Sequence, residues 1–391
     1  MAIDRKLTDR AVDDLREPLV DLSRRVHENP ELRWEEHRAA AWISEALEQL
    51  GNVQVERELG GYPTAFRAKS GNGQGPRVAI LAEYDALPEI GHACGHNLIA
   101  GGAVGAFLSL ARLGPELPGT VEIIGTPAEE GGAGKIRLTE QGVFEGVDAA
   151  MMFHPFDRDL LTHPALANKW LEMRFEGTPS HASAAPWDGS SALTACLETF
   201  RLIDSQRVHF RDGVRVHGFV TNGGQAVNII PERAACEFSV RARSQPELER
   251  VRGIVERCAR GAALAAGVDV SISVRTGYRE IINNLTMARR FGAALQALGR
   301  SAREADDRVG AGSTDMGDVS HIVPSIHPYL AICDEGESLC HEHRFLACAA
   351  SPRGFDTMLV AAKAMARTTL DLLEDAALLE SVKREWSEAR A

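Results

Sequence analysis

An α/β chain in two parts, a larger α/β domain interrupted by a smaller ferredoxin-like one, is what the sequence predicts. Short apolar strands alternate with helices over residues 1–166, and the same pattern resumes over 279–391. Residues 167–278 read instead as strand, helix, strand, strand, helix, strand, the βαββαβ order of a split-βαβ unit. A length of 391 residues is enough for two domains and at least one large core.

The first helical stretch places Leu15, Leu19, Leu22 and Val26 on one face. Asn29-Pro30 then sets a turn, and a second helix is expected over 35–50, stopping at Gly51. Strands are expected at 53–57, 64–68 and 78–82. Residues 100–113, rich in Ala, Gly and Leu, predict a buried helix, followed by a buried strand at 121–125. A helix over 135–141 leads to the apolar run 149–153, which ends at His154-Pro155. Such continuous apolar strands argue for a largely parallel sheet.

In the insert, strands are expected at 169–176, 214–222, 233–242 and 268–276, with helices at 189–207 and 246–262. Asn222-Gly223-Gly224 offers a turn between the middle pair. Beyond Tyr278 a helix at 285–299, apolar runs near 320–333 and a long helix at 355–375 complete the chain.

Composition narrows the function classes. A formal net charge of -12 with no Lys/Arg-rich run argues against nucleic acid as a partner. No apolar stretch is long enough to span a bilayer, and Met1-Ala2-Ile3-Asp4-Arg5-Lys6 lacks the apolar core of a signal peptide. Seven scattered cysteines predict no disulfide framework and suit a reducing cytoplasm.

Ligand-type residues gather at strand ends. Gly91-His92-Ala93-Cys94-Gly95-His96-Asn97 puts a thiol and an imidazole two residues apart in a glycine-walled turn. Alone, this reads equally as a metal pair or as a buried thiol beside a surface histidine. Glu129, Glu130 and His154 stand in further Gly- or Pro-bounded turns after apolar strands. In a parallel sheet these ends share one edge, so the turns can converge. Adjacent carboxylates in a turn point differently, so one can bind metal while the other serves as general base. A solvated acidic turn is the alternative.

Four segments then carry a resemblance. Ile80-Leu81-Ala82-Glu83-Tyr84-Asp85-Ala86-Leu87-Pro88, the 91–98 turn, Gly125-Thr126-Pro127-Ala128-Glu129-Glu130 and Phe153-His154-Pro155 closely resemble the amidohydrolase branch of the aminoacylase/carboxypeptidase metallopeptidase family. Within it, β-alanyl-lysine-type dipeptidases and p-aminobenzoyl-glutamate hydrolases are the most similar groups. The likeness continues, in order, through His27-Glu28-Asn29-Pro30, Ser180-His181-Ala182, Asn228-Ile229-Ile230-Pro231 and Gly312-Ser313-Thr314-Asp315.

The resemblance implies a catalytic α/β/α sandwich with a mixed sheet over 1–166 and 279–391, and a lid and dimerisation domain over 167–278, hence a homodimer. It implies two divalent metal ions, zinc or manganese with cobalt or nickel possible, on Cys94, His96, Glu130, His154 and His341. His343 is the competitor for the last ligand. Glu129 matches the general base, and Asp85 a residue that orients a ligand. His181 matches a histidine that steadies the oxyanion, and Asn228 and Arg241 a pair that grips a substrate carboxylate. The implied activity is metal-dependent hydrolysis of the amide bond in an N-acyl amino acid, a dipeptide or an aminobenzoyl-glutamate-like substrate. Two alternatives stand beside it: a non-peptide C–N bond (aryl amine or ureido) on the same centre, and a metal-bound protein without activity.

Overall fold

A computed structural model describes residues 3–275, 277–306 and 310–390. Among the described residues the strands are β1 (Val55–Arg57), β2 (Phe66–Gly71), β3 (Arg77–Ala82), β4 (Thr120–Gly125), β5 (Ala149–Met151), β6 (His154–Phe156), β7 (Ala167–Glu176), β8 (Arg215–Asn222), β9 (Arg233–Ala242), β10 (Asp269–Arg275), β11 (Ser325–Ile326) and β12 (Tyr329–Ala331). Two compact units divide the chain. One comprises residues 3–164, 281–311 and 315–390, the other 165–280 with 312–314.

The larger unit holds a six-stranded mixed sheet in the order β1-β2-β4-β3-β5-β11. The segment β4-β3-β5-β11 is parallel, while β1 and β2 run antiparallel at one edge. Five of the six β3 residues and all of β4 are buried, as expected of strands covered on both faces, and the one charge in β4, Glu122, pairs with Arg77 at 2.7 Å. The register Ala82↔Gly125 brings the C-terminal ends of β3 and β4 level, so the loops that follow them leave the sheet side by side.

One helix governs this unit. His96–Ala111 starts at His96 itself, four residues before the sequence-predicted start, and every residue through Leu110 is buried. A helix apolar on all sides belongs in a core, and the helices Arg5–Asp14, Arg16–Glu28, His37–Gly51 and Pro352–Glu374 all pack against it. Gly95 caps it at φ +79°, a conformation that glycine adopts without strain, and a Cβ there would meet Pro155 at 2.9 Å.

Other departures from expectation are local. The helix expected over 35–50 runs His37–Gly51, and Asn52 rather than glycine takes the left-handed cap. The apolar run at 149–153 ends sooner, at Met151, and His154–Phe156 forms its own short strand paired with β12. A final helix, Ala376–Arg390, went unpredicted. No described helix is long and apolar enough to cross a membrane, and all seven cysteines are free.

The inserted unit is an antiparallel sheet in the order β10-β7-β9-β8, the strand order of the ferredoxin-like fold. Helices Ala192–Gln206 and Gln245–Ala266 pack on it, and Leu171, Phe175, Phe238, Val251 and Val255 are among its core. Asn222-Gly223-Gly224 does begin a turn, with the Gly224 N–H donating to Asn222 Oδ1 at 3.0 Å. It does not close a tight hairpin, since β9 starts only at Arg233.

Candidate metal centre

Three loops at the parallel sheet edge and one late segment bring donor atoms together. After β3 come Glu83 and Asp85, after β4 Glu129 and Glu130, and His154 opens β6. Cys94 and His96 lie at the start of the buried helix. The late segment is pinned by the His341 N–H, which donates to the Ala93 carbonyl at 2.9 Å.

Distances define the cluster. Cys94 Sγ stands 3.5 Å from His154 Nε2. Glu130 Oε1 lies 3.9 Å from His96 Nε2 and 3.4 Å from His341 Nε2. Donor atoms of Cys94, His96 and His154 fall within 4.8 Å of one another, as do those of Cys94, Glu130 and His341, and those of His96, Glu129 and Glu130. Cys94 thus belongs to two overlapping triads. His343 enters none of these groups and begins a short helix, His343–Cys348, instead.

Hydrogen bonds from outside the cluster fix the two histidine rings. His96 Nδ1–H donates to Asp85 Oδ1 at 2.9 Å, and the other Asp85 oxygen accepts from the Glu130 N–H at 2.8 Å. His154 Nδ1–H donates to the Pro155 carbonyl at 2.7 Å. Both rings therefore turn Nε2 inward, the arrangement that outer partners impose on metal-binding histidines. His96 Nε2 and Glu130 Oε1 are buried with no hydrogen-bond partner. Buried polar atoms without partners are costly, and a cation among them removes the cost. Sulfur, imidazole and carboxylate donors in one place fit divalent transition metals.

Electrostatics point the same way. Burial pushes the His154 imidazole down to about 4, which leaves it neutral with a free lone pair. The neighbouring Cys340 thiol, then burial, hold the Cys94 thiol well above its ordinary range, so this sulfur ionises with the help of a cation. Burial, then Glu83, Glu130 and Asp315, raise the Glu129 carboxyl well above the usual carboxylate range. A base with elevated affinity for protons is what proton abstraction near neutrality needs.

The loop that delivers the two glutamates is bent. Ala128 and Ala133 adopt φ +59°, and His341 adopts φ +73°, all in the region that non-glycine residues avoid. Glu36 helps hold the first of them, its Oε1 accepting from the Ala128 N–H at 2.8 Å.

Sequence reasoning passed over several neighbours. Glu83 Oε2 sits 3.4 Å from His96 Nε2, and Lys135 and Asp315 stand behind it. His327 and Tyr329 flank His154, with ring centroids 5.4 and 5.3 Å away. A signal for the latter pair was in the text: His327-Pro328-Tyr329 repeats the pattern of His154-Pro155-Phe156, and Tyr329 pairs in register with His154. His92, by contrast, is expected from the sequence to stand beside the site; it is buried and stacks on His27 at 6.2 Å.

The remaining expected residues lie in the inserted unit. His181 and Asn228 are exposed, and their segments are laced together, with the Ala182 N–H donating to the Asn228 carbonyl at 3.0 Å and the Ile230 N–H to Ser180 at 2.9 Å. His181 Nδ1 accepts from the Ala184 N–H at 3.2 Å, which leaves Nε2 as the protonated nitrogen. Arg241 stands on β9 in register with Asn168 and Arg215, its Nε buried without a partner. No hydrogen bond links Arg241 to Asn228 among the described residues.

Comparison with known proteins decides the family. The model of peptidase family M20/M25/M40 matches residues 79–367, a span that includes every candidate ligand. The chain belongs to this family. It is a hydrolase of amide bonds. It is 38% identical to the Xaa-Arg dipeptidase of Mus musculus, over 96% of this chain and 90% of that one. The Xaa-Arg dipeptidase of Homo sapiens is 35% identical, over the same shares of the two chains, 96% and 90%. The crystal structure of the Bacillus subtilis YXEP protein, described as a dinuclear metal-binding peptidase, superposes with a TM-score of 0.73 at 22% identity, covering 93% and 99%. The likeness to this structure extends over both units and agrees with the mixed α/β architecture.

Proposed function

We propose that this chain is a two-metal dipeptidase, with Cys94, His96, Glu130, His154 and His341 holding the ions. One observation carries the reading: donor atoms from these five residues converge, and two of the buried atoms, His96 Nε2 and Glu130 Oε1, have no hydrogen-bond partner. Two divalent ions, zinc or manganese, would acidify an attacking water and polarise the amide carbonyl. Glu129 takes the proton from that water and delivers it to the leaving amine. His181 donates its Nε2–H to the oxyanion, and the lock on Nδ1 supports that role. Asn228 and the half-buried Arg241 hold the substrate carboxylate. Asp85 fixes the ring of His96 and the backbone of Glu130.

The substrate we favour is a dipeptide with a basic C-terminal residue. The Xaa-Arg dipeptidase relative, matched along nearly its whole length, supports this choice. The insert acts as lid and dimerisation domain. Its edge strand β8 exposes Phe219 and Val220, and unpaired edges seek partners. The seven free cysteines support a cytoplasmic setting.

The test is a substrate panel with manganese or zinc present: Xaa-Arg and Xaa-Lys dipeptides, N-acyl amino acids and p-aminobenzoyl-glutamate, with metal counted by elemental analysis. Two ions per chain and preferential cleavage of basic dipeptides are expected. Turnover of ureido compounds alone, or of no amide, overturns the reading.

A further inference from the structure

Behind the ligand cluster lies a group of charges that the proposed reaction leaves unused. Lys135 is fully buried, as are Glu83 and Asp315 to within 1%. Lysine is almost never found so deep without ionic partners. Here the Lys135 ammonium donates to Asp315 Oδ1 at 2.7 Å and to Glu83, and its backbone N–H donates to Asp315 Oδ2 at 2.8 Å. Carboxylate oxygens of Glu83, Glu129 and Asp315 lie within 4.8 Å of one another.

Three carboxylates at that spacing repel unless a cation sits among them. Elsewhere such a set would hold a divalent ion, but here the chain supplies its own. The path that brings it is demanding: Lys135 follows Gly134, where a Cβ would come within 1.7 Å of the Pro127 carbonyl oxygen. Any side chain at 134 would displace the segment that carries both Glu129 and Lys135.

The ammonium ties down one oxygen of Glu83. The other, Oε2, is buried without a hydrogen-bond partner and faces His96 Nε2 at 3.4 Å. Lys135 thus holds Glu83 at the edge of the ligand cluster and lies among the carboxylates that surround Glu129.

We propose that Lys135 is a positioning residue, a built-in cation in a three-carboxylate pocket that fixes Glu129 and Glu83 beside the metal pair. The proposal rests on the reading of Glu129 as general base, and Lys135 itself touches neither substrate nor the five ligands. Removing the ammonium has two expected effects. Glu129 loses its fixed place, and the three carboxylates become free to take a metal ion.

The experiment compares wild type, K135M and K135M/D315N, measuring kcat and KM with manganese and ions per chain by native mass spectrometry. The double variant removes one charge of each sign and keeps the test open if K135M fails to fold. In K135M, kcat should fall about a hundredfold, the scale of a misplaced catalytic group, with KM little changed. With excess manganese, folded K135M should bind one ion more than wild type, and K135M/D315N should not. The double variant should remain as slow as K135M. Wild-type kcat in either variant overturns the proposal, as does a folded K135M that gains no ion. Loss of the native ions together with kcat would make Lys135 a mere support of the ligands and also overturns it. A wild type that hydrolyses no amide fails the functional reading instead, and the ion count still tests the pocket.

Discussion

The two units set several of their candidate residues in contrasting surroundings. In the larger unit Cys94, His96, Glu129 and His154 are buried, each at a strand or helix end. In the inserted unit His181 and Asn228 are exposed on connecting loops. Burial makes a polar group expensive unless something satisfies it, so the atoms left over in the larger unit point to a cation. Exposed groups carry no such cost, and their purpose depends on what approaches them.

Substitutions can break or sharpen that contrast. The largest effect belongs to the buried base. Glu129→Gln should lower kcat by about ten-thousand-fold, the upper range for general-base loss, while elemental analysis finds the wild-type metal content. Wild-type turnover would move the chemistry to another residue. Next comes the exposed histidine. His181→Ala should cost about a hundred- to a thousand-fold in kcat, as for a lost oxyanion donor, with metal unchanged. Mixing this variant with a Cys94→Ala protein should restore part of the activity if His181 serves its partner's site; no recovery in mixed dimers would confine it to its own chain.

A smaller loss is expected for the orienting carboxylate. Asp85→Asn should weaken metal affinity by about ten- to a hundredfold, read by competition with a chelating dye, because the bond to His96 Nδ1 persists in altered form. Equal affinity would show that the ring needs no such guide.

The smallest effect is a matter of pH. Burial, then Asp85, push the Glu36 carboxyl up to about 7. Its folded value exceeds its unfolded one, so its protonated form favours the fold below the ordinary carboxylate range, and that contribution is lost as pH rises through about 7. Glu36→Gln, which keeps the acceptor for Ala128, should be free of that loss. The gap in urea midpoints should widen in favour of the variant from about pH 5 to about pH 8, by at most about 3 kcal/mol. Parallel curves would refute the shift.

Much of this was legible in the text of the chain. Unbroken apolar runs such as Val78-Ala79-Ile80-Leu81-Ala82 announce buried strands, and ligand-type residues directly after them announce an edge site. What escaped depends on distance along the chain. Lys135 meets partners 52 residues before it and 180 after it, and no local pattern marks such a triad. The 223–232 connection defeated the simple turn rule because it does a second job, pairing its 228–230 segment with Ser180 and Ala182. The final helix buries only Leu379 and Val382 fully, too thin an apolar stripe to announce itself.

One earlier feature reaches further than the fold. His96 is the first residue of a helix enclosed on every side. In the proposed site, a ligand mounted on such a rod would have little room to retreat, because each small displacement would press on the whole core. A proposed centre held this way would favour softer ions through its thiol and disfavour larger ones through its rigid mounting.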